Sequence, residues 1–344
     1  MTMLRPMWRQ RYDKQSGLTL IELMVALVLS MVLMTGMISV FVANKRTYQV
    51  QEGLARLQEN GRFAIHLLTR DIRGAGYWGC GTQTPNIINA LNNGGSYAFS
   101  YGQAVDGFDA VGNSWSPTLD ISISGASPSP NEGSDVVTLR FSEGGGARVI
   151  QHNVPSADLK VVANADLNVD DIVMVSDCED AAIFQITNLQ TVSGTQTNVV
   201  HNTGTSDPGN AFQDLGKKFL NAEIVRVRNR TYYVADGAGG LPSLWRMDDG
   251  RTPQELVEGV LQMQVLYGVD TDSDTSANQY VTAAAVSDWT EVVSVRINLL
   301  MESIRDNVTD TPQSYTFNGS TVTAADKRLY KVFTSTVAIR NRLG

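Results

Sequence analysis

Metal-binding and redox side chains are scarce in this sequence. Only two cysteines and three histidines occur among 344 residues. An iron–sulfur cluster held by four thiolates is therefore excluded, and a zinc site with several Cys and His ligands is almost excluded. Positive charge is also scarce: 27 Lys and Arg residues stand against 35 Asp and Glu residues, a net charge of −8. Nucleic-acid binders usually present a basic face, so we expect no nucleic-acid partner.

Common catalytic motifs are absent as well. The sequence has no His-Glu-x-x-His, Cys-x-x-Cys or Gly-x-Ser-x-Gly, and Gly216-Lys217-Lys218 does not have the spacing of a phosphate-binding loop. At 42% hydrophobic and 18% charged residues, the chain has the composition of a folded protein. We therefore predict a folded protein that is not an enzyme. We expect no cofactor except the calcium ion considered below.

The N-terminus carries a long apolar stretch behind a basic leader. Residues 1–17 have a net charge of +3, and the 26 residues from Leu18 to Ala43 contain one charged side chain, Glu22. As a helix, this stretch would be ~39 Å long, enough to cross a hydrocarbon core of ~30 Å. The basic leader favours a cytoplasmic N-terminus, with the C-terminal domain on the other side of the membrane.

Two ordinary explanations of this stretch fit less well. A secretory signal peptide has an apolar region of about 7–15 residues that ends at a small-residue cleavage site. The apolar region over 18–43 is longer than that, and nothing like Ala-x-Ala stands at a suitable end. A plain membrane anchor explains the length but not Glu22. A charge costs at least ~2–3 kcal/mol at the centre of a membrane, and an unpaired one needs an explanation.

The segment Ser16-Gly17-Leu18-Thr19-Leu20-Ile21-Glu22-Leu23 resembles the class III signal of type IV prepilins and type II secretion pseudopilins. The resemblance implies that prepilin peptidase cuts after Gly17 and N-methylates Leu18, which stands where Phe is usual. Glu22 would then lie one helical turn beyond the new amine. In a filament its carboxylate can pair with the N-terminal amine of a neighbouring subunit, setting register more than adding stability.

A helical pattern continues beyond the membrane segment and predicts an amphipathic helix over 44–74. Apolar or small residues recur three and four apart and form one stripe: Leu54, Leu57, Gly61, Ala64, Ile65, Leu68 and Ile72. Gly74-Ala75-Gly76 predicts the end of the helix. One helix from Leu18 to about Arg73 would be ~84 Å long. Gly36, Gly53 and Gly61 are its predicted weak points.

Residues 75–344 have the pattern of a β-rich domain. The segment 92–132, rich in Gly, Ser, Asn and Pro, predicts an extended surface loop with at most one strand. The longer segment Leu256–Tyr267 could begin as a helical turn. The other predicted strands are Asp135–Phe141, Lys160–Ala163, Asp171–Val175, Ala182–Leu189, Glu223–Asn229, Thr231–Ala235, Leu244–Met247, Val292–Met301 and Arg328–Arg340. The predicted fold class is α+β: one long helix packed on a largely antiparallel sheet with long loops.

Internal segments narrow the resemblance to the PilW family of large type IV minor pilins. They are Arg73–Cys80, Val175–Glu179, Leu266–Asp270 and Phe333–Arg342. The family implies a pilin-like fold and a role in priming pilus assembly within a minor-pilin complex at the tip. Its implied partners are other minor pilins, the major pilin, prepilin peptidase and the inner-membrane assembly platform. The implied location is the inner membrane and then the pilus.

Two alternative functions share this sequence pattern. A minor pseudopilin of type II secretion, of the J type, has the same signal and layout. A pilus-tip adhesin would bind its ligand through the 92–132 loop, whose aromatic residues are Tyr97, Phe99, Tyr101, Phe108 and Trp115.

The two cysteines, Cys80 and Cys178, both lie beyond the membrane segment and are 98 residues apart. In an oxidising compartment we expect them to form a disulfide, which could contribute up to ~4–5 kcal/mol in the chain-entropy model. The alternative is two separate buried thiols.

Asp270, Asp272 and Asp274 alternate as the carboxylates of calcium loops do. An EF-hand also needs Gly at its sixth position and Glu at its twelfth, where this chain has Thr275 and Val281. The segment is therefore not an EF-hand. A calcium site of another kind is the weaker hypothesis, and a solvated acidic turn is the stronger one.

Overall fold

The computed structural model of the protein describes residues 17–79, 86–162, 166–192 and 194–342. The chain divides into two compact units, one up to Glu52 and one from Gly53 onward. The helix α1, Leu20–Gly74, begins in the first unit and ends in the second. It confirms the single long helix predicted from the apolar run and its amphipathic continuation. Its end follows from Gly76, whose φ of 74° lies in the left-handed region where glycine is favoured.

The first unit presents its apolar side chains to the outside. α1 is the one helix in the described part of the chain that is long and apolar enough to cross a membrane, and none of its most apolar segment is buried. Leu33 and Met37, for example, are both 73% exposed. A helix of a soluble protein usually buries such a surface, whereas this one is suited to lipid or to other apolar helices.

Two main sheets form the second unit. The larger sheet has 12 strands: β1 Asn86–Asn89, β2 Val105–Val111, β3 Ser114–Ser116, β4 Val136–His152, β5 Asp158–Val162, β6 Ile172–Ser176, β7 Asp180–Gln185, β8 Asn188–Val192, β9 Gln196–Val200, β10 Glu223–Asp236, β11 Pro242–Asp248 and β12 Gln254–Glu258. All its described ladders are antiparallel except β1 with β7.

The smaller sheet has four strands, β13 Val260–Val269, β14 Gln279–Val281, β15 Val292–Glu302 and β18 Tyr330–Ala338. Their order is β14-β13-β15-β18, and all neighbours are antiparallel. A separate hairpin joins β16 Ser314–Phe317 to β17 Ser320–Thr323. A short helix, α2, spans Ile121–Ser124 and is capped by the Asp120 side chain. One long helix and a largely antiparallel sheet domain confirm the α+β class.

The main core lies between the second half of α1 and both sheets. Leu57, Ala64, Leu68 and Ile72 of the predicted stripe are buried in it, together with inward-facing residues of β13, β15 and β18. Gly61 has a packing role rather than that of a weak point. A Cβ atom there would lie 2.4 Å from the Phe333 ring, so the glycine allows β18 to approach the helix closely.

Several strand predictions change in extent. The predicted segments Glu223–Asn229 and Thr231–Ala235 form one strand, β10, because the intervening Arg230 is buried and paired. Leu256–Tyr267 has no helical turn; Gly259, with φ of 84°, separates β12 from β13. Ala182–Leu189 likewise divides between β7 and β8.

The prediction of an extended surface loop over 92–132 is wrong. The segment contains β2, β3 and α2, and β2 pairs with β4 inside the larger sheet. Tyr101 is 2% exposed and Phe108 is 6% exposed, and the Trp115 indole donates to the Ser134 carbonyl. The aromatic residues of this segment therefore pack on the domain instead of forming an open adhesive surface.

Candidate functional site

The predicted cleavage site lies immediately before α1. Gly17 and Leu18 have no regular secondary structure, and Leu18 is 79% exposed. Apart from its chain neighbours, no atom of the described residues lies within 4 Å of the position a Cβ would take at Gly17. The peptide bond between them is therefore sterically accessible to an enzyme.

Glu22 belongs to a capping box at the start of α1. Its Oε2 accepts hydrogen bonds from the backbone N–H and the hydroxyl of Thr19, each at 3.0 Å, and its own N–H donates to Thr19 Oγ1 at 3.3 Å. The pattern Thr-x-x-Glu is a sequence signature of this cap, so the sequence could have revealed it. Within the described residues, Oε1 accepts no hydrogen bond and is open to a partner.

The small polar side chains inside the apolar segment form their hydrogen bonds within the helix itself. The hydroxyls of Ser30, Thr35 and Ser39 each donate to a backbone carbonyl three or four residues earlier, at 2.8–2.9 Å. No lipid or neighbouring helix has to supply partners for these groups. Glu22 is consequently the one charged group of the segment that an apolar neighbour would have to accommodate.

The second cysteine lies in the turn between β6 and β7. Cys178 has a φ of 74°, and its N–H donates to Ser176 Oγ at 3.2 Å. Cys80 lies outside the described residues, so the disulfide stays a prediction. Gly79, the residue before Cys80, lies beside Val225 of β10. Glu223 of the same strand pairs with Ser176, which is two residues before Cys178.

The three alternate carboxylates do come together. Asp270, Asp272 and Asp274 each have an oxygen within 4.8 Å of the others. However, the Asp270 carboxylate accepts backbone N–H groups from residues 272–275, the two shortest at 2.8 Å. These amides already use the one buried carboxylate of the group, so the arrangement fits the acidic turn that closes the loop after β13.

A buried ionic network, which the sequence alone does not predict, joins α1 to the larger sheet. Asp71 accepts hydrogen bonds from Arg230 Nη1 at 2.6 Å, Tyr232 Oη at 2.5 Å and Arg70 Nε at 2.9 Å. Arg230 also forms a two-point contact with Asp248, at 2.8 and 3.3 Å. Burial would raise the pKa of Asp71, but the attraction of Arg230 and these hydrogen bonds outweigh it and lower that pKa.

Arginines at alternate positions of β10 were the available signal for this network. Arg226, Arg228 and Arg230 have a period of two, which places them on one face of the strand. Three cations on one face of a buried strand require carboxylate partners. The sequence could not show that one of these partners lies 159 residues away on α1.

Two family models match the chain, near its two ends. Residues 12–38 match the prokaryotic N-terminal methylation motif, and residues 231–341 match the type IV pilus-assembly protein W family. No curated protein and no solved structure matches significantly. The first match covers Gly17, Leu18 and Glu22, and the second runs from β10 to the end of β18. With the long apolar helix and its antiparallel sheet domain, these matches support a type IV pilin of the PilW family.

Proposed function

We propose that this pilin is a minor pilin that helps to prime pilus assembly within a minor-pilin complex at the pilus tip. The observation that carries the proposal is the exposed apolar half of α1, which begins two residues after an accessible Gly17–Leu18 bond. Such a helix can lie in the inner membrane first and pack among the helices of other subunits later. No catalytic step is needed for this role.

Cleavage after Gly17 and methylation of the Leu18 amine are the first parts of the proposal. Intact-mass spectrometry of protein purified from cells with prepilin peptidase should show a chain that begins at methylated Leu18. Gly17→Leu should block cleavage because a side chain would crowd the peptidase site, whereas Gly36→Ala should be cleaved normally. A mature chain that retains the basic leader contradicts the proposal.

Glu22 is proposed to pair with the N-terminal amine of a neighbouring subunit through its open Oε1. Three variants separate pairing from helix capping. Glu22→Gln keeps a hydrogen-bond acceptor for Thr19 but removes the charge, and Glu22→Ala removes both the acceptor and the charge. Thr19→Ala removes the capping hydroxyl and keeps the Glu22 charge, at a cost of ~0.5–2 kcal/mol to the helix.

If pairing is the function of Glu22, both Glu22 variants should be cleaved yet co-purify poorly with partner pilins and give fewer pili. Thr19→Ala should assemble close to the parent level. Normal piliation with Glu22→Gln would refute pairing and leave capping, or recognition by the processing machinery, as the role of this carboxylate.

The proposed topology has a cytoplasmic N-terminus, one membrane crossing and a periplasmic domain, which becomes part of the pilus on the cell surface. The proposed partners are other minor pilins, the major pilin, prepilin peptidase and the assembly platform. Labelling of single cysteines introduced at Arg148 and Lys327 by a membrane-impermeant thiol reagent in intact spheroplasts tests the topology, in a background without Cys80 and Cys178. Protection of both positions would contradict it.

The match to a pilus-assembly family favours a pilus over a secretion pseudopilus. Deleting the gene and restoring it on a plasmid distinguishes the two. We expect fewer surface pili after deletion, with secretion of folded proteins unchanged. Loss of secretion with normal piliation would instead identify a pseudopilin.

A further inference from the structure

A basic groove lies between α1 and β18 in the second unit. Two adjoining depressions of about 360 Å³ each form it, and they share His66, Thr69 and Arg73. Asn341 Nδ2 donates to the Ala75 carbonyl at 3.1 Å, and Gly61 packs on Phe333. These two contacts fix α1 and β18 side by side, running in the same direction.

Unpaired cations line this groove. Arg62 and Arg73 on α1 and Arg340 after β18 are exposed and have no carboxylate within 4 Å among the described residues, in a chain whose net charge is −8. The hydroxyl of Thr69 is buried there and has no hydrogen-bond partner in the described part of the chain. The groove therefore complements an acidic ligand that also offers hydrogen-bonding groups.

The other wall of the groove is an open sheet edge. β18 is the last strand of its sheet, next to β15. Just beyond β18, Ile339 donates its N–H to the carbonyl of Val293 in β15 at 2.9 Å. Because hydrogen-bonding direction alternates along an antiparallel strand, the peptide groups of the even-numbered residues face outward. These are Tyr330, Val332, Thr334, Thr336 and Ala338.

The protein itself shows that this edge accepts a partner. At Tyr330 the Gln313 side chain imitates a strand: its Nε2 donates to the Tyr330 carbonyl at 2.8 Å, and its Oε1 accepts the Tyr330 N–H at 2.9 Å. Beyond this point, the outward groups of Val332, Thr334 and Thr336 have no described backbone partner. Soluble proteins usually protect such an edge with charges, proline or a covering element, and Lys331 is the one charged residue in β18.

We propose that the groove binds an extended acidic segment of a partner polypeptide, which adds a strand to β18 and places its carboxylates against Arg62, Arg73 and Arg340. Arg62 and Arg73 are 11 positions apart, which is ~16 Å along the helix and the length of about five residues of strand. Backbone pairing would supply affinity, and the arginines would select for acidic side chains. Identifying the partner as another pilin rests on the proposed function; the binding itself does not.

A peptide-binding assay on the full chain in detergent tests the proposal. The probe is a fluorescein-labelled nonapeptide that alternates Glu with Val, and its binding is followed by fluorescence anisotropy. Control peptides carry Lys in place of Glu, or Pro in place of Val. We expect the acidic peptide to bind, and both controls to bind at least tenfold more weakly.

Paired protein variants provide the second arm. Arg62→Glu with Arg73→Glu should weaken binding of the acidic peptide at least tenfold. Arg148→Glu with Lys327→Glu makes the same change in charge at exposed positions outside the groove and should change binding less than twofold. Circular dichroism and melting temperature confirm that each variant is folded.

The outcomes are decisive. No binding of the acidic peptide, equal binding of the Lys peptide, or equal loss in both variant pairs would overturn the groove as a docking site. Equal binding of the Pro peptide would reduce it to a simple anion site and overturn strand addition. Peptide binding is measured on isolated protein, so it is independent of the piliation assays. Loss of peptide binding with normal dependence of piliation on the chain would overturn the groove alone. Peptide binding without any effect of the chain on piliation would overturn the proposed function alone.

Discussion

Replacing Asp71 with alanine should weaken the attachment of α1 to the sheet domain. Asp71 is 3% exposed, and Arg230, its strongest partner, is 2% exposed. The substitution removes the carboxylate that accepts from Arg230 and Tyr232 and leaves the guanidinium buried beside a small cavity. The helix then loses its one ionic connection to β10 among the described contacts.

The loss of folding free energy depends on which partners Arg230 keeps. Removing one partner of a buried ion pair costs ~3–5 kcal/mol because the other charge is left uncompensated. Here Arg230 keeps its two-point contact with Asp248, so we expect the lower end, about 3 kcal/mol. For a unit of this size, that corresponds to a fall in melting temperature of roughly 5 °C.

Thermal and urea unfolding of the full chain in detergent, followed by tryptophan fluorescence, measure this change. Glu59→Ala, on the exposed side of the same helix, is the matched control and should stay within about 0.5 kcal/mol of the parent. Combining Asp71→Leu with Arg230→Met should cost less than the sum of the two single changes, since the pair is replaced by apolar side chains. A loss below 1 kcal/mol for Asp71→Ala would refute the assigned role.

The dependence on pH provides an independent check. Attraction by Arg230 holds the pKa of Asp71 below its ordinary value despite burial. The stability that ionised Asp71 contributes is therefore present above an unfolded-state pKa of about 3.9 and is lost as the pH falls through the lower folded-state pKa. The stability difference between the parent and Asp71→Asn should shrink over that acidic range. A difference that stays constant would contradict the sign of the shift.

Three further predictions concern the packing of the second unit. Gly61→Ala should destabilise the protein by about 1 kcal/mol despite the better helix propensity of Ala, since the new methyl group displaces the Phe333 ring, and Phe333→Leu should restore the loss. Burial lowers the pKa of His201 to about 4, so stability to urea should fall by about 2 kcal/mol as the pH drops from 6.5 to 4.5, and His201→Phe should reduce that slope; an unchanged slope would contradict the assignment. Thiol labelling of denatured, unreduced protein should find neither Cys80 nor Cys178 reactive, whereas two labelled thiols would exclude the disulfide.

Local signals in the sequence were sufficient for α1. An apolar run, a stripe with helical spacing and a glycine stop are properties of neighbouring residues, so the helix could be predicted almost to the residue. The same holds for the signal around Gly17 and Glu22, whose spacing alone supported the family resemblance. Even the capping box was readable there as Thr-x-x-Glu, although only its geometry showed that Oε1 stays open.

Strand pairing depends on residues far apart, and the sequence did not determine it. β10 lies against β4, β6 and β11, whose residues come from both sides of it in the chain. No local pattern states which of these strands it joins, so the break predicted near Arg230 was wrong. The prediction of a surface loop over 92–132 is wrong for the same reason. Its Gly, Ser, Asn and Pro residues indicate turns locally, whereas β4, the strand that pairs with β2, is a separate segment of the chain.

The sequence by itself thus determined the class III signal, the membrane-competent helix and the α+β class, all of which rest on short-range spacing and composition. Tertiary structure alone decided which charges are buried and paired and which stay free. Asp71 and Arg230 neutralise each other inside the core, while Arg62, Arg73 and Arg340 face an open groove. The physical reason is that the free energy of a charge depends on the solvent and partners around it, and the folding of distant segments creates that environment.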